Sequence, residues 1–156
     1  MARVGFGYDS HRFAPGRALV LGGVRIEHDT GLAGHSDGDA VLHAITDAIL
    51  GALAAGDIGE HFPPDDTRWE NADSGTFVGR AIELARAQGC RVVNCDVTVL
   101  AEEPKLGPYK QAMRQRIAEL LHTAVDNVSV KAKTNEGMGP IGRSEGLAAL
   151  AAVMVG

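Results

Sequence analysis

The segment from residue 36 or 37 to about Leu53 constrains the fold most strongly, because it carries a clear helical period. We expect Ser36 to cap the free N–H groups at the start of this helix. Its polar side would carry Asp39, His43 and Asp47 at intervals of four residues. Apolar residues recur three and four positions apart on the other side: Val41, Ala44, Ile45, Ala48, Ile49 and Ala52.

Shorter patterns predict the remaining elements. Residues 3–11 alternate as in a strand, so Asp9 and His11 share a face. Gly22-Gly23 suits the turn of a hairpin. Alanine and leucine in the tail 146–155 favour a helix, whereas a final strand would complete an α/β sandwich. A second helix runs from a cap at Ser74 to Gln88 and is ended by Gly89, and a third follows Pro104 and Pro108 up to about Leu121. The other predictions are hairpin strands at 18–21 and 24–26, a long loop at 56–73, and strands at 91–100 and 128–132.

Composition limits the class of protein. No linker or internal repeat divides the 156 residues, so we expect one domain over 1–156. The formal net charge of -5 argues against a protein that coats nucleic acid. No run approaches the ~18 apolar residues of a membrane span, and the N-terminus does not resemble a signal peptide. We therefore expect a cytoplasmic protein in which Cys90 and Cys95 are reduced.

A candidate metal site follows from three side chains. Asp9 and His11 are weak candidates alone, because such pairs are common on protein surfaces. Together with His43 they form a set of two imidazoles and one carboxylate, which is typical of a catalytic zinc site with a free fourth position. Asp39 and Asp47 either accept the other ring N–H of His43 or simply face solvent.

Three further groups suggest phosphate and polyol binding. His35 and Ser36 precede the predicted helix, where backbone N–H groups attract anions. Residues 57–59 open an acidic loop that either binds hydroxyl groups or faces water. Residues 131–136 combine cations, a hydroxyl and a carboxylate, as a diphosphate with Mg²⁺ requires, although solvated lysines at a strand edge would have the same composition.

Seven collinear motifs make the chain resemble the 2-C-methyl-D-erythritol 2,4-cyclodiphosphate synthase family over nearly its whole length. They are Gly7-Tyr8-Asp9-Ser10-His11, residues 32–39 (LAGHSDGD), Leu42-His43-Ala44, Gly56-Asp57-Ile58-Gly59, Ala72-Asp73-Ser74, residues 94–98 (NCDVT) and Gly142-Arg143-Ser144-Glu145-Gly146.

This resemblance implies a lyase of the non-mevalonate isoprenoid pathway. Its substrate, 4-diphosphocytidyl-2-C-methyl-D-erythritol 2-phosphate, closes to the cyclic diphosphate and releases CMP. By the same resemblance, Asp9, His11 and His43 bind Zn²⁺, His35 and Thr134 stabilise the transition state, and Glu136 holds Mg²⁺ or Mn²⁺. The implied substrate-binding residues are Asp9, His11, His35, Ser36, Asp57, Ile58, Gly59, Phe62, Asp66, Ala101, Pro104, Lys105, Leu106, Gly107, Lys133, Thr134, Asn135, Glu136 and Arg143.

The resemblance also implies an architecture: a four-stranded mixed sheet with helices on one face, in a homotrimer whose sheets face the threefold axis and whose sites lie between subunits. The tail would then be a strand at that axis. Lys133 and Asn135 replace threonines of many relatives, and Pro64 replaces an acidic residue whose role either Asp65 or Asp66 would take over. Gly137 and Pro140 put a prenyl-binding central cavity in doubt.

Two alternatives remain open at this point. A zinc phosphoesterase would use the same open metal position to activate water. A metal that only stabilises the fold is the second alternative, although structural zinc sites usually have four protein ligands.

Overall fold

The computed structural model describes all residues, 1–156. The strands are β1 (Arg3–Ala14), β2 (Leu19–Leu21), β3 (Val24–Ile26), β4 (Gly31–Leu32), β5 (Val92–Leu100), β6 (Val128–Lys133) and β7 (Gly146–Val155). The α-helices are α1 (Ala40–Ala52), α2 (Ile58–His61), α3 (Gly75–Ala87), α4 (Lys110–Leu121) and α5 (Gly139–Gly142). Short 3-10 helices cover Thr67–Trp69, Gly107–Tyr109 and Val125–Asn127.

A central mixed sheet organises the fold in the order β4-β1-β7-β5-β6. Strands β5 and β6 are parallel, and the other neighbours are antiparallel. The prediction of four strands is wrong, because Gly31–Leu32 adds a fifth by pairing with Phe13 and Ala14. The glycine-pair hairpin is confirmed, with Gly22 and Gly23 at φ angles of 60° and 73° between β2 and β3.

The ambiguous tail forms β7, which lies between β1 and β5. Alternate side chains along this strand are buried on the helix side, as at Ala151 and Val153. A central position supplies hydrogen-bond partners to both edges of the strand, and this outweighs the helical propensity of its alanines. The tail therefore holds the two halves of the sheet together.

Helix α1 lies directly over β1 and β7, and α3 contacts both α1 and α4. The contact is close because β1 presents glycine to the helix: a Cβ on Gly7 would lie 1.9 Å from the carbonyl oxygen of Ala44. A Cβ on Gly5 would lie 1.7 Å from the carbonyl oxygen of Ala48. These glycines bring the backbone of α1 close to the strand that carries Asp9 and His11.

None of the helices has the length and apolar character needed to cross a bilayer.

The opposite face of the sheet presents apolar side chains to the surface. Val4, Phe6 and Tyr8 of β1 are 67%, 64% and 55% exposed. They pair across the strands with Met154, Ala152 and Leu150 of β7, respectively. We call these six residues the outer apolar face.

Two local predictions need correction. Helix α1 begins at Ala40 and is capped by Asp39, whose side chain accepts from the N–H of Leu42, so Ser36 is not the cap. The segment 56–73 is not a structureless loop, because it contains α2 and the 3-10 turn at Thr67–Trp69. Helix α3 ends as predicted, with Gly89 at a φ of 71° just beyond it.

Candidate metal centre

Strand β1 and helix α1 bring Asp9, His11 and His43 together. The Nε2 atom of His11 lies 2.6 Å from Oδ2 of Asp9, and Nδ1 of His43 lies 3.0 Å from the same oxygen. The two ring nitrogens are 3.3 Å apart. These three residues form the one group of three metal-ligand side chains in the chain. The predicted convergence is therefore confirmed.

A backbone carbonyl orients the ring of His11. Its Nδ1 lies 2.5 Å from the carbonyl oxygen of Ala33, which can only accept a hydrogen bond. The proton of a neutral His11 ring therefore sits on Nδ1, and the lone pair of Nε2 points toward Asp9 and His43. This is how proteins commonly orient a histidine that binds a metal.

Two serine hydroxyls contact the far side of the His43 ring. Its Nε2 lies 2.8 Å from Oγ of Ser74 and 3.1 Å from Oγ of Ser36. Neither Asp39 nor Asp47 is its partner, and neither simply faces solvent, so both of the alternatives left open for these two residues are wrong. Asp39 is buried and accepts from the N–H groups of the β2–β3 turn and of Leu42, whereas Asp47 accepts from the N–H of Ile58 at 2.7 Å.

Electrostatics at the cluster favour a bound cation. Burial alone raises the pKa of Asp9, but hydrogen bonds and charge from His11 and His43 outweigh it and leave that pKa lowered. Burial alone lowers the pKa of His11, but its hydrogen bond with Asp9 leaves that pKa raised. A carboxylate and two imidazole lone pairs that converge repel one another unless a cation lies between them. Two nitrogens and one oxygen match the donor set of a catalytic zinc ion.

A cavity of about 270 Å³ opens beside the cluster. Its lining residues are His11, His35, Ser36, His43, Ile58, Gly59, Phe62, Pro63, Pro64, Trp69 and Phe77. The rings of Phe62, Trp69 and Phe77 pack on one another, with centroids 4.4 to 5.9 Å apart. His35 is exposed at the cavity, whereas Ser36 is buried beneath it. A larger open depression of about 790 Å³ lies along the β2–β3 hairpin and includes none of the three metal-ligand residues among its lining residues.

The segment 57–66 forms the outer side of this cavity. Asp57 caps α2 by accepting from the N–H of Glu60, so the first carboxylate of the predicted polyol site has a structural role. It does not line the cavity, although Ile58, Gly59 and Phe62 do. The hydrogen bond from Arg68 lowers the pKa of Asp66, both of whose oxygens accept from that guanidinium.

A second cavity, of about 310 Å³, lies at the other edge of the sheet. Its lining residues are Ala101, Pro104, Lys105, Leu106, Gly107, Pro108, Lys110, Ala132, Lys133 and Thr134. Asn135 and Glu136 follow in the turn after β6. The two cavities share no residue, because β7 and β5 separate β1 from β6. One chain therefore does not bring all the predicted site residues together.

Arg143 lies apart from both cavities, in the turn between α5 and β7. Its Nε donates to Oε2 of Glu145 at 2.7 Å, and neither cavity includes it among its lining residues. The substrate contact of Arg143 therefore stays a prediction.

Comparison with known proteins agrees with this geometry. The model of the YgbB family matches residues 2–156. The chain belongs to the YgbB family. A relative from Xanthomonas campestris pv. campestris (strain B100), named 2-C-methyl-D-erythritol 2,4-cyclodiphosphate synthase, is 58% identical over 154 residues, covering 99% of this chain and 94% of the relative.

Several solved structures are also similar to this YgbB-family chain. A 2C-methyl-D-erythritol-2,4-cyclodiphosphate synthase in a CDP-bound form is 37% identical with a TM-score of 0.91, covering 99% of this chain and all of the other. The bifunctional IspDF of Campylobacter jejuni is 43% identical with a TM-score of 0.95, and the match covers 99% of this chain and 42% of that one.

Three polar residues near the sites of this YgbB-family chain were not predicted. Ser74 contacts His43, and Asp37 accepts hydrogen bonds from both the Oγ and the N–H of Ser74. Glu102 accepts from the N–H of Asn135 at 2.7 Å and so joins the ends of β5 and β6. Asp37 and Ser74 occur in the quoted motifs, but their sequence separation hides the contact between them.

Proposed function

We propose that this chain is a zinc-dependent 2-C-methyl-D-erythritol 2,4-cyclodiphosphate synthase. The observation that carries the proposal is the convergence of Asp9, His11 and His43 beside a cavity. The name carried by its close relatives supports the same conclusion.

The three side chains would hold Zn²⁺ through Oδ2 of Asp9, Nε2 of His11 and Nδ1 of His43. An ion bound there would supply Lewis acidity, which polarises a phosphate oxygen of the substrate. The residues themselves would fix the direction in which that phosphate faces, because β1 positions Asp9 and His11 and α1 positions His43. Ser36 and the exposed ring of His35 lie next to the same cavity and would donate to phosphate oxygens.

The reaction needs no nucleophilic side chain. The 2-phosphate oxygen of the substrate attacks its own β-phosphorus, the bond to the CMP oxygen breaks, and CMP leaves. The protein must therefore bend the substrate and neutralise charge as the bonds change. We assign transition-state stabilisation to His35 and Thr134, and the methylerythritol and ribose region to Asp57, Gly59 and Phe62.

The second cavity is the proposed cytidine site. Lys105 and Leu106 lie on its wall in the segment that follows β5. Lys133, the last residue of β6, and Thr134, which follows it, line the same cavity. Backbone groups of residues 101–107 would contact the base, and the ammonium group of Lys133 would replace a hydroxyl at the phosphates. Glu136 would hold Mg²⁺ or Mn²⁺, because hard divalent cations prefer carboxylate oxygens, and the ion would supply positive charge to the substrate phosphates.

A homotrimer would bring the two kinds of cavity together. Within one chain they lie on opposite sides of the β7–β5 pair, so a substrate that uses both needs the second cavity of a neighbouring chain. The outer apolar face supports the same assembly, since three such sheets packed around an axis would remove it from water. Arg143 lines neither of the two cavities within one chain, and its proposed substrate contact would also be made in such an assembly.

A cytoplasmic location, one domain over 1–156, and the absence of nucleic-acid and membrane partners stay predictions. Neither cysteine forms a disulfide, which is compatible with a reducing compartment.

Phosphorus NMR tests the proposed activity directly. Purified protein with zinc and magnesium should convert the cytidine diphospho substrate to CMP and a cyclic diphosphate. His43→Ala should lose bound zinc and turnover, whereas His28→Ala, which changes a histidine outside the cluster, should keep both. Release of inorganic phosphate from simple esters would favour the zinc phosphoesterase, an alternative that the named relatives do not support. Turnover by His43→Ala at the parent rate would contradict the assigned site.

A further inference from the structure

Ser74 occupies the N-cap position of α3 but does not cap the helix. Its side chain makes no hydrogen bond to the first turn, although serine is among the preferred capping residues. The N–H of Gly75 is instead bonded to Oδ1 of Asp73 at 2.7 Å. The fully buried hydroxyl of Ser74 is therefore directed to a different partner.

Ser74 has one hydroxyl proton, and only one of the groups near its oxygen can accept a hydrogen bond but not donate one. The carboxylate of Asp37 accepts a hydrogen bond from Oγ of Ser74, and it also accepts from the N–H of Ser74 at 3.0 Å. An ionised carboxylate offers only acceptors, so the hydroxyl proton points toward Asp37. A lone pair of the Ser74 oxygen then faces Nε2 of His43 at 2.8 Å.

This arrangement selects one tautomer of His43. An oxygen lone pair at hydrogen-bond distance requires the ring proton on Nε2, which leaves Nδ1 as the bare nitrogen that faces Asp9. We propose that Ser74, held by Asp37, is a positioning residue that presents Nδ1 of His43 to the metal and strengthens zinc binding. The inference rests on the proposed metal site but not on the identity of the substrate.

The competing explanation is a purely structural one. The bonds between Asp37 and Ser74 join the segment before α1 to the start of α3, so their loss would lower stability whether or not they act on His43. Zinc affinity separates the two explanations, because a structural bond alone gives no reason for a weaker metal site in the folded protein. Changes in groups that orient a metal-binding histidine typically weaken the metal by about 10- to 100-fold.

Thr46 offers a matched control for Ser74. It is also fully buried, and its hydroxyl donates to the carbonyl oxygen of Leu42 at 2.7 Å without touching a metal ligand. It lies on the same helix as His43, so Thr46→Val removes a comparable hydrogen bond close to the site.

Competition against a chelating dye measures zinc affinity without substrate. We expect Ser74→Ala to raise the zinc dissociation constant by about 10- to 100-fold, and Thr46→Val by less than about threefold. With Co²⁺ in place of zinc, the visible absorption should change in Ser74→Ala but not in Thr46→Val. If Ser74→Ala does not fold, Asp37→Asn should weaken zinc in the same direction, because it removes the charge that orients the hydroxyl.

Unchanged zinc affinity and an unchanged Co²⁺ spectrum in the folded Ser74→Ala or Asp37→Asn variant would overturn the proposal. That result would leave the proposed synthase intact, since the parent protein would still bind zinc. A parent protein that binds no zinc would instead contradict the metal site itself.

Discussion

Gly7→Ala tests whether close packing of α1 on β1 assembles the metal site. The added Cβ would lie 1.9 Å from the carbonyl oxygen of Ala44, whereas ordinary contacts begin near 3.4 Å. The helix would have to move away by about 1.5 Å, because the obstacle is backbone and cannot rotate aside. Ala44 adjoins His43, so the movement would separate His43 from the two ligands on β1.

We expect this substitution to lower the free energy of unfolding by about 3 kcal/mol, the upper part of the range for overpacked cores. Zinc affinity should fall by about tenfold or more, because ligand distances must stay within about 0.2 Å of their preferred values. Gly79→Ala is the matched control, since nothing lies within 4 Å of a Cβ at that position in α3. It should raise stability by about 0.5–1 kcal/mol, as alanine does in an open helical position.

Urea unfolding of metal-free protein, at matched protein concentrations, measures the first effect, and chelator competition measures the second. A Gly7→Ala variant that unfolds within about 0.5 kcal/mol of the parent and binds zinc equally well would refute the packing argument. Loss of stability with full zinc affinity would refute only the link between the helix position and the ligands.

Three further predictions concern other parts of the chain. Burial raises the pKa of Asp39 from 3.8 to about 6, so between these values the folded state holds a proton that the unfolded state releases. Relative to Asp39→Asn, the stability of the parent protein should be highest below pH 3.8 and should decline as the pH rises through about 6. Urea unfolding across that range measures this difference, and parallel pH profiles for the two proteins would count against it. Asp47→Ala removes the acceptor of the Ile58 N–H, so hydrogen exchange of the backbone amides in residues 58–62 should become faster and the free energy of unfolding should fall by about 1 kcal/mol. Unchanged amide exchange would show that Asp47 does not hold this segment in place. Phe6→Glu places a charge in the outer apolar face, so this variant should sediment as a monomer where the parent protein sediments as an assembly. Glu27→Ala changes an exposed residue outside that face and should leave the assembly unchanged. An intact Phe6→Glu assembly would contradict the proposed trimer.

Local patterns predicted the elements that carry their own signal. Helix α1 has a full apolar side, and the turn at Gly22-Gly23 requires positive φ angles, so neither depends on distant contacts. Strand β7 could not be settled in this way, because its alanines favour a helix and only its place between β1 and β5 makes it a strand. The fifth strand was missed because two residues, Gly31–Leu32, are too short to show a period.

Asp39 shows how a correct helix can yield an incorrect side-chain role. Helical spacing placed it in the same column as His43, which suggested a hydrogen bond along the surface. The β2–β3 hairpin instead covers the start of α1, so Asp39 accepts from Gly22, Gly23 and Leu42 and is buried. That covering is a contact between distant segments, and helical periodicity contains no information about it.

The three metal ligands were predictable because their side-chain types already suggest the chemistry. Their supporting residues were not, since a serine before a helix predicts a cap and an aspartate in a glycine-rich loop predicts a turn. What distinguishes Ser74 is the direction of one proton: Asp37 can only accept it, so the serine oxygen must accept from His43. The three ligands define where a metal binds, whereas Asp37 and the buried Ser74 determine which nitrogen of His43 is available to it. Zinc affinity in Ser74→Ala measures that contribution separately.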